Sequence, residues 1–258
     1  MTLAKLLILI AVFFLTSLVS VVTGSTSLIT VPVLIAVGIE THVAIATNML
    51  ALTFLSAGGS IPYIGKGIID RRRLPLALVL TVAGSAIGAL VMLKVPAKAV
   101  QLTLAVVMFA AAALILIRSK SGSGKTASRT RGLSKSGAYS VFGYAATFLL
   151  AVYGGSFSGG YVTMLTAAFV FFFGMTLLES VATTKIVNLF SSGVATLVFF
   201  WRGIVDWKLG VVLGLVMFVG ALLGSHISMK ISSTWLRRIF IVAVLGMALK
   251  MLLVATSH

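Results

Sequence analysis

The sequence predicts an all-α polytopic membrane protein made of two homologous repeats, each with about four spans and one short broken or re-entrant segment. Three observations carry this. Of 258 residues, 60% are apolar and only 9% charged, with a mean hydropathy of +1.19, a balance no water-exposed surface sustains. Apolar runs of about twenty residues, enough to cross a hydrocarbon layer about 30 Å thick as a helix, recur from end to end and leave no room for a soluble domain. The second half also matches the first at a constant offset of 136 residues, with 13 identities in the 71 positions that pair Gly24 to Lys94 with Gly160 to Lys230.

In chain order, the first span is expected from about Thr2 to Thr23. It is too long for a signal-peptide core and has no small-x-small cleavage site after it. The apolar piece Leu28 to Val37 is too short to cross and reads as re-entrant or as half of a broken helix. Spans at His42 to Ile64, Pro75 to Leu93 and Lys98 to Ile117 complete a first repeat, residues 1–118. Residues 119–136 form a basic, Ser/Gly-rich linker. The second repeat, 137–258, opens with Tyr139 to Val152 and the glycine-rich Gly154 to Gly160, followed by a short piece from Tyr161 to Phe173 and a span from Ser180 to Trp201.

The 20 Lys and Arg against four acids give a formal charge of +16, but most of them sit in short loops between apolar segments, where the positive-inside rule accounts for them without nucleic acid. The basic runs 66–73 and 118–135 are two spans apart and share one side, the cytoplasmic one. Parallel or inverted repeats stay open, because Arg202 and Lys208 ask for one side while Lys230, Arg237 and Arg238 ask for the other. The chain has no cysteine, and His42, His226 and His258 are scattered, so neither a metal nor any other cofactor is expected. No nucleophile or acid/base pair stands out, which argues against an enzyme.

The chemistry concentrates on the Ser180 helix. Lys185 lies about 10 Å along it, too deep for easy escape to water. Thr184, Asn188, Ser191, Ser192 and Thr196 fall with it in an arc of roughly 140°. Such a polar wall either glues helices together or lines a cavity. The offset gives it a partner, since Asn48 and Ser56 match Thr184 and Ser192, Thr47 matches Thr183, and Met49 takes the place of Lys185. At the two breaks, Ser25, Thr26 and Ser27, and Ser156 and Ser158, precede helices whose free N–H groups favour anions; the same residues also suit caps and close helix packing. Glu40 and Glu179 stand near the short segments as candidate proton carriers, whereas Asp70 and Asp206 sit in basic loops that suit structural pairing.

Gly24 to Pro32 (GSTSLITVP), Gly38, Ala46-Thr47-Asn48, Gly67-Ile-Ile-Asp70, Ala182-Thr183-Thr184 and Gly203-Ile-Val-Asp206-Trp207 together resemble the sulfite exporter TauE/SafE family of membrane permeases over nearly the whole chain. The resemblance implies ion-coupled movement of sulfite or a small organosulfonate such as sulfoacetate. Lys185 is read from this chain alone. The expected protein is therefore a multi-pass permease of the inner (cytoplasmic) membrane. Its partners are a small anion and lipid, and it is open to forming a homo-oligomer. A carrier of a carboxylate or another oxyanion, or a non-transporting membrane sensor or assembly protein, is the alternative.

Overall fold

The computed structural model describes residues 2–23, 26–104, 106 and 137–227. These residues are helical, with no strand among them: α1 (Leu3–Thr23), α2 (Ser27–Ala36), α3 (Thr41–Ser60) with a 3₁₀ turn (Ile61–Tyr63), α4 (Leu74–Met92), α5 (97–104), α6 (Gly137–Ser156), α7 (Tyr161–Phe173), α8 (Leu177–Trp201) and α9 (Trp207–Ile227). Among the described residues, four stretches are long and apolar enough to cross a membrane: Thr41–Tyr63, Leu74–Met92, Leu178–Trp201 and Trp207–His226. The linker 119–136, most of the Lys98 to Ile117 span, Ser25, and Lys230 with Arg237 and Arg238 lie outside the described residues.

The short helices have clear stops. α2 ends at Gly38 (φ +101°) and α7 at Gly174 (φ +63°), left-handed positions that glycine takes without a Cβ penalty. One boundary differs from the sequence reading. α6 does not stop at Val152 but runs through Gly154 and Gly155 to Ser156, because both glycines serve packing inside the helix. A Cβ on Gly154 would meet the Tyr161 ring at 2.8 Å. One on Gly155 would press into the backbone of Ser85.

Hydrogen bonds between elements give the directions. Lys5 Nζ donates to the Val37 carbonyl (2.9 Å), so α2 returns to the face where α1 begins. Thr47, near the start of α3, accepts from the Asp206 N–H (3.1 Å) just after α8. Thr183, near the start of α8, accepts from the Asp70 N–H (3.4 Å) just after α3. The start of each central helix therefore lies beside the end of the other, and α3 and α8 run antiparallel. These two bonds are counterparts at the 136-residue offset.

Packing is crossed between the halves. Gly84 and Gly88 on α4 lie against Phe148, Ala151 and Val152 of α6, while Gly220 and Gly224 on α9 lie against Phe14, Ser17 and Leu18 of α1. The glycines differ by 136 and their partners by 134 (148 − 14, 151 − 17, 152 − 18). The contact recurs with a two-residue offset on the outer helix. Large apolar side chains such as Leu76, Val79, Leu197 and Leu215 point outward, whereas Thr47, Asn48, Ser56, Lys185, Asn188 and Ser192 are buried. That inside-out distribution suits a hydrocarbon surround.

Candidate functional site

At the centre, the N-terminus of α2, the turn before α7, the polar wall of α8 and two leucines of α3 surround a cavity of about 10 Å³, room for one water-sized guest. Its polar lining is Thr26, Ser27, Ser158, Lys185 and Asn188, and Leu52, Leu55 and Val162 complete it. The first N–H groups of a helix have no partner within it, so the start of α2 brings donors and a partial positive charge to this place. Ser158 adopts φ +61°, a left-handed backbone unusual for a non-glycine residue. Such a conformation costs about 1–2 kcal/mol, which the surrounding structure must offset.

Lys185 is 2% exposed and makes no hydrogen bond or ion pair among the described residues. Its stem runs past Gly59, where an added Cβ would come within 3.6 Å of Cδ. Asn188 donates through Nδ2 to Ser56 Oγ (2.6 Å), tying α8 to α3, and its other amide atom, Oδ1, is buried without a partner among the described residues. The cavity thus brings together one uncompensated cation and three hydroxyls, a set suited to a small polar anion, while Asn188 Oδ1, which only accepts, is suited to the ammonium or to a hydroxyl-bearing guest.

The other sequence candidates take supporting positions. Asn48 donates to Ser27 Oγ (3.1 Å) and accepts from Thr30 Oγ1 (2.7 Å), clasping α2 to α3. Thr166 Oγ1 bonds Thr184 Oγ1 (3.3 Å), the same clasp between α7 and α8 at the 136-residue offset. Thr47 and Thr183 bind the loops already described. Ser192 Oγ is spent on the Asn188 carbonyl (2.7 Å) and Ser156 Oγ on the Tyr153 carbonyl (2.7 Å), each within its own helix.

Both glutamates are helix caps outside the cavity lining. Glu179 closes a capping box with Thr176 at the start of α8. Glu40 accepts from the Val43 N–H (3.0 Å) and pairs with His42 Nδ1 (3.0 Å) at the start of α3. Burial pushes the Glu40 carboxyl up, but the bonds from Val43 and His42 outweigh it and hold the group below its ordinary value. Asp70 pairs with Arg73 (2.9 Å), whose guanidinium stacks over Phe173 at 5.2 Å.

Three contributors escaped the sequence reading: Thr30, Thr166 and the Ser56 bond to Asn188. The first two were legible, since Thr30 and Thr166 are one of the 13 identities at the offset. A further buried pair, Ser85 with Ser191 (2.7 Å), joins α4 to α8.

Antiparallel helices with polar inner walls, broken by half-helices at a buried cavity and clothed in apolar side chains, are the architecture of a polytopic membrane transporter. The chain belongs to the sulfite exporter TauE/SafE family, whose model matches residues 9–251. Among its relatives are the probable membrane transporter protein ORF9 of a Sinorhizobium species, 27% identical over 93% of this chain and 89% of the relative, and a probable membrane transporter protein of Haemophilus influenzae, 27% identical over 95% and 94%. The probable membrane transporter protein YfcA of Escherichia coli K12 is 26% identical over 95% of this chain and 88% of its own. No solved structure matches the chain significantly.

Proposed function

We propose that this protein is a permease for a small anion, sulfite or an organosulfonate such as sulfoacetate. The anion is held at Lys185, where the water-sized cavity widens to admit it as the helices part, and is moved by ion-coupled alternating access. The single observation that carries the reading is a buried lysine without a counter-charge, facing hydroxyls at the start of a half-helix. An anion about 4 Å from the ammonium gains roughly 4 kcal/mol at an effective dielectric constant of 20, which outweighs any single hydroxyl contact. The recurring contacts and the antiparallel central helices favour two repeats, 1–118 and 137–258, of inverted orientation, with the site at their interface. The loop 66–73 carries four cations and faces away from the loop 202–208, which carries two. By that bias the Asp70 face is cytoplasmic and the membrane is the inner one.

The test is flux of labelled sulfite, sulfoacetate and a dicarboxylate into proteoliposomes, comparing wild type with Lys185→Met. The substitution borrows the residue found at Met49 and keeps most of the bulk. Transport is expected to fall at least tenfold. Unimpaired flux of a transported anion in Lys185→Met refutes the site, and no flux of any anion by the wild type refutes the transport reading.

A further inference from the structure

We infer that Lys185 also carries the coupling proton: the carrier closes either with lysinium and one bound monoanion or with neutral lysine and no anion. This rests on the anion site proposed above and adds the identity of the group that couples it. The geometry singles Lys185 out. From α2 the cavity receives Thr26 and Ser27, from the turn before α7 and α7 itself Ser158 and Val162, from α3 Leu52 and Leu55, and from α8 Asn188; Gly59 flanks the lysine stem. None of these carries a charge. The titratable groups on the same elements are placed elsewhere. Glu40 and His42 bond one another at the start of α3, and Glu179 is in its capping box. Asp206 caps the start of α9 beside Lys208, and a His226 ring nitrogen bonds the Leu222 carbonyl at its far end. Tyr161 on α7 is fully buried and is not in the cavity lining.

An isolated charge sealed in such a cavity has two ways to be relieved: an opposite charge enters, or the proton leaves. The second route has a defined ceiling. With the ordinary lysine pKa of about 10.4, the neutral amine is present in about one molecule in 2,500 at pH 7, so return of the empty carrier is slowed by no more than that factor and gains about tenfold per pH unit. Loaded closure suffers no such delay. Two modes follow. Anion-for-anion exchange keeps the lysine protonated and moves no proton. Net transport must deprotonate it on the empty return, so one proton travels with each monoanion and the net movement is electroneutral.

The experiment measures exchange and net uptake of labelled methanesulfonate, a monoanion that does not bind protons near neutral pH, and of sulfite in parallel, in proteoliposomes with an internal pH dye and a clamped membrane potential. Wild type, Lys185→Arg and the double variant Glu40→Gln/Glu179→Gln are compared. Expected for the wild type are one proton per methanesulfonate in net uptake, none in exchange, and no response to voltage. Arginine keeps the charge and does not release it. Lys185→Arg should therefore retain exchange and lose at least a hundredfold in net uptake, whereas the double glutamate variant should retain the proton count. Net uptake that is voltage-driven or proton-free, or loss of coupling in the glutamate variant, overturns the inference while exchange leaves the anion site standing. If the wild type performs neither mode with either anion, the transport reading falls and the inference with it. Should arginine prevent folding, the wild-type proton count and voltage response decide alone.

Discussion

Thr47 and Thr183 offer a direct handle on access to the cavity. Each ties the start of one central helix to the loop after the other, at opposite faces: Thr47 to the Asp206 N–H at 3.1 Å and Thr183 to the Asp70 N–H at 3.4 Å. Replacing either by valine keeps the shape and deletes one interhelical hydrogen bond. Such bonds are worth about 0.6 kcal/mol on average in membranes and up to about 1.7, corresponding to roughly threefold to eighteenfold in an opening equilibrium. The shorter Thr47 bond belongs toward the upper part of that range and the 3.4 Å Thr183 bond at the bottom. The chain has no cysteine of its own, so Leu55→Cys in the cavity lining becomes a sole reporter. In oriented vesicles treated with an impermeant thiol reagent, Thr47→Val should raise the labelling rate from the Asp206 face by about threefold to tenfold, and Thr183→Val should raise it from the Asp70 face by no more than about threefold. Acceleration from the same face in both variants, or an unchanged ratio between faces, refutes the idea that these bonds close opposite entrances.

Two stability predictions follow from the same geometry. A Cβ on Gly84 would lie 2.8 Å from the Phe148 carbonyl oxygen and one on Gly220 would lie 3.0 Å from that of Phe14, so each Gly→Ala change should destabilise by about 1–3 kcal/mol and lower the melting temperature in detergent; Gly193→Ala, with only Thr53 Cγ2 at 3.8 Å, is the control that should be neutral or slightly stabilising. Glu40→Gln removes a carboxylate held below its ordinary value, a contribution present above the ordinary carboxylate range and lost as pH falls through the folded-state value. Melting scans should therefore show wild type above Glu40→Gln at pH 7 with the gap closing below about pH 4, and a gap that widens in acid contradicts the assignment.

The elements that were easiest to read had their ends written in residue chemistry. Gly160 and Gly174 bracket Tyr161–Phe173 in the sequence as they do in the fold, and the short pieces stand out by length alone. The Lys185 wall was legible because hydroxyls, an amide and a cation recur at helical spacing in an otherwise apolar stretch. The Thr-x-x-Glu pattern at Thr176 to Glu179 also announces a capping box, yet the rarity of acids drew Glu179 toward a proton-carrying role. Partner choice was not legible. In helices apolar all round, periodicity marks no buried face, so nothing in α4 alone says that Gly84 and Gly88 face α6 rather than a neighbour in the same half. Gly154 and Gly155 misled for a related reason. A glycine pair inside a helix and a glycine pair that ends one look the same until the packed neighbour is known.

The contacts that recur at the offset of 136 and those that do not divide the molecule by task. The Thr47 and Thr183 ties, the Thr30 to Asn48 and Thr166 to Thr184 clasps, and the glycine seats on α4 and α9 all hold helices in place. The cavity itself is lined by positions whose counterparts differ in chemistry, Lys185 standing against Met49, Asn188 against Leu52, and Leu55 against Ser191. In a carrier that alternates between two faces, as proposed above, ties of one kind at both entrances keep the end states close in energy, offset by the difference between the 3.1 Å and 3.4 Å bonds. The site has the opposite requirement. A second lysine at Met49, a buried position of the apolar core outside the cavity lining, would add a second cation that one monoanion leaves uncompensated. Under the proposed mechanism, a single lysine lets one monoanion, or one departing proton, neutralise the interior, so the asymmetry of the site would serve the near-symmetry of the cycle.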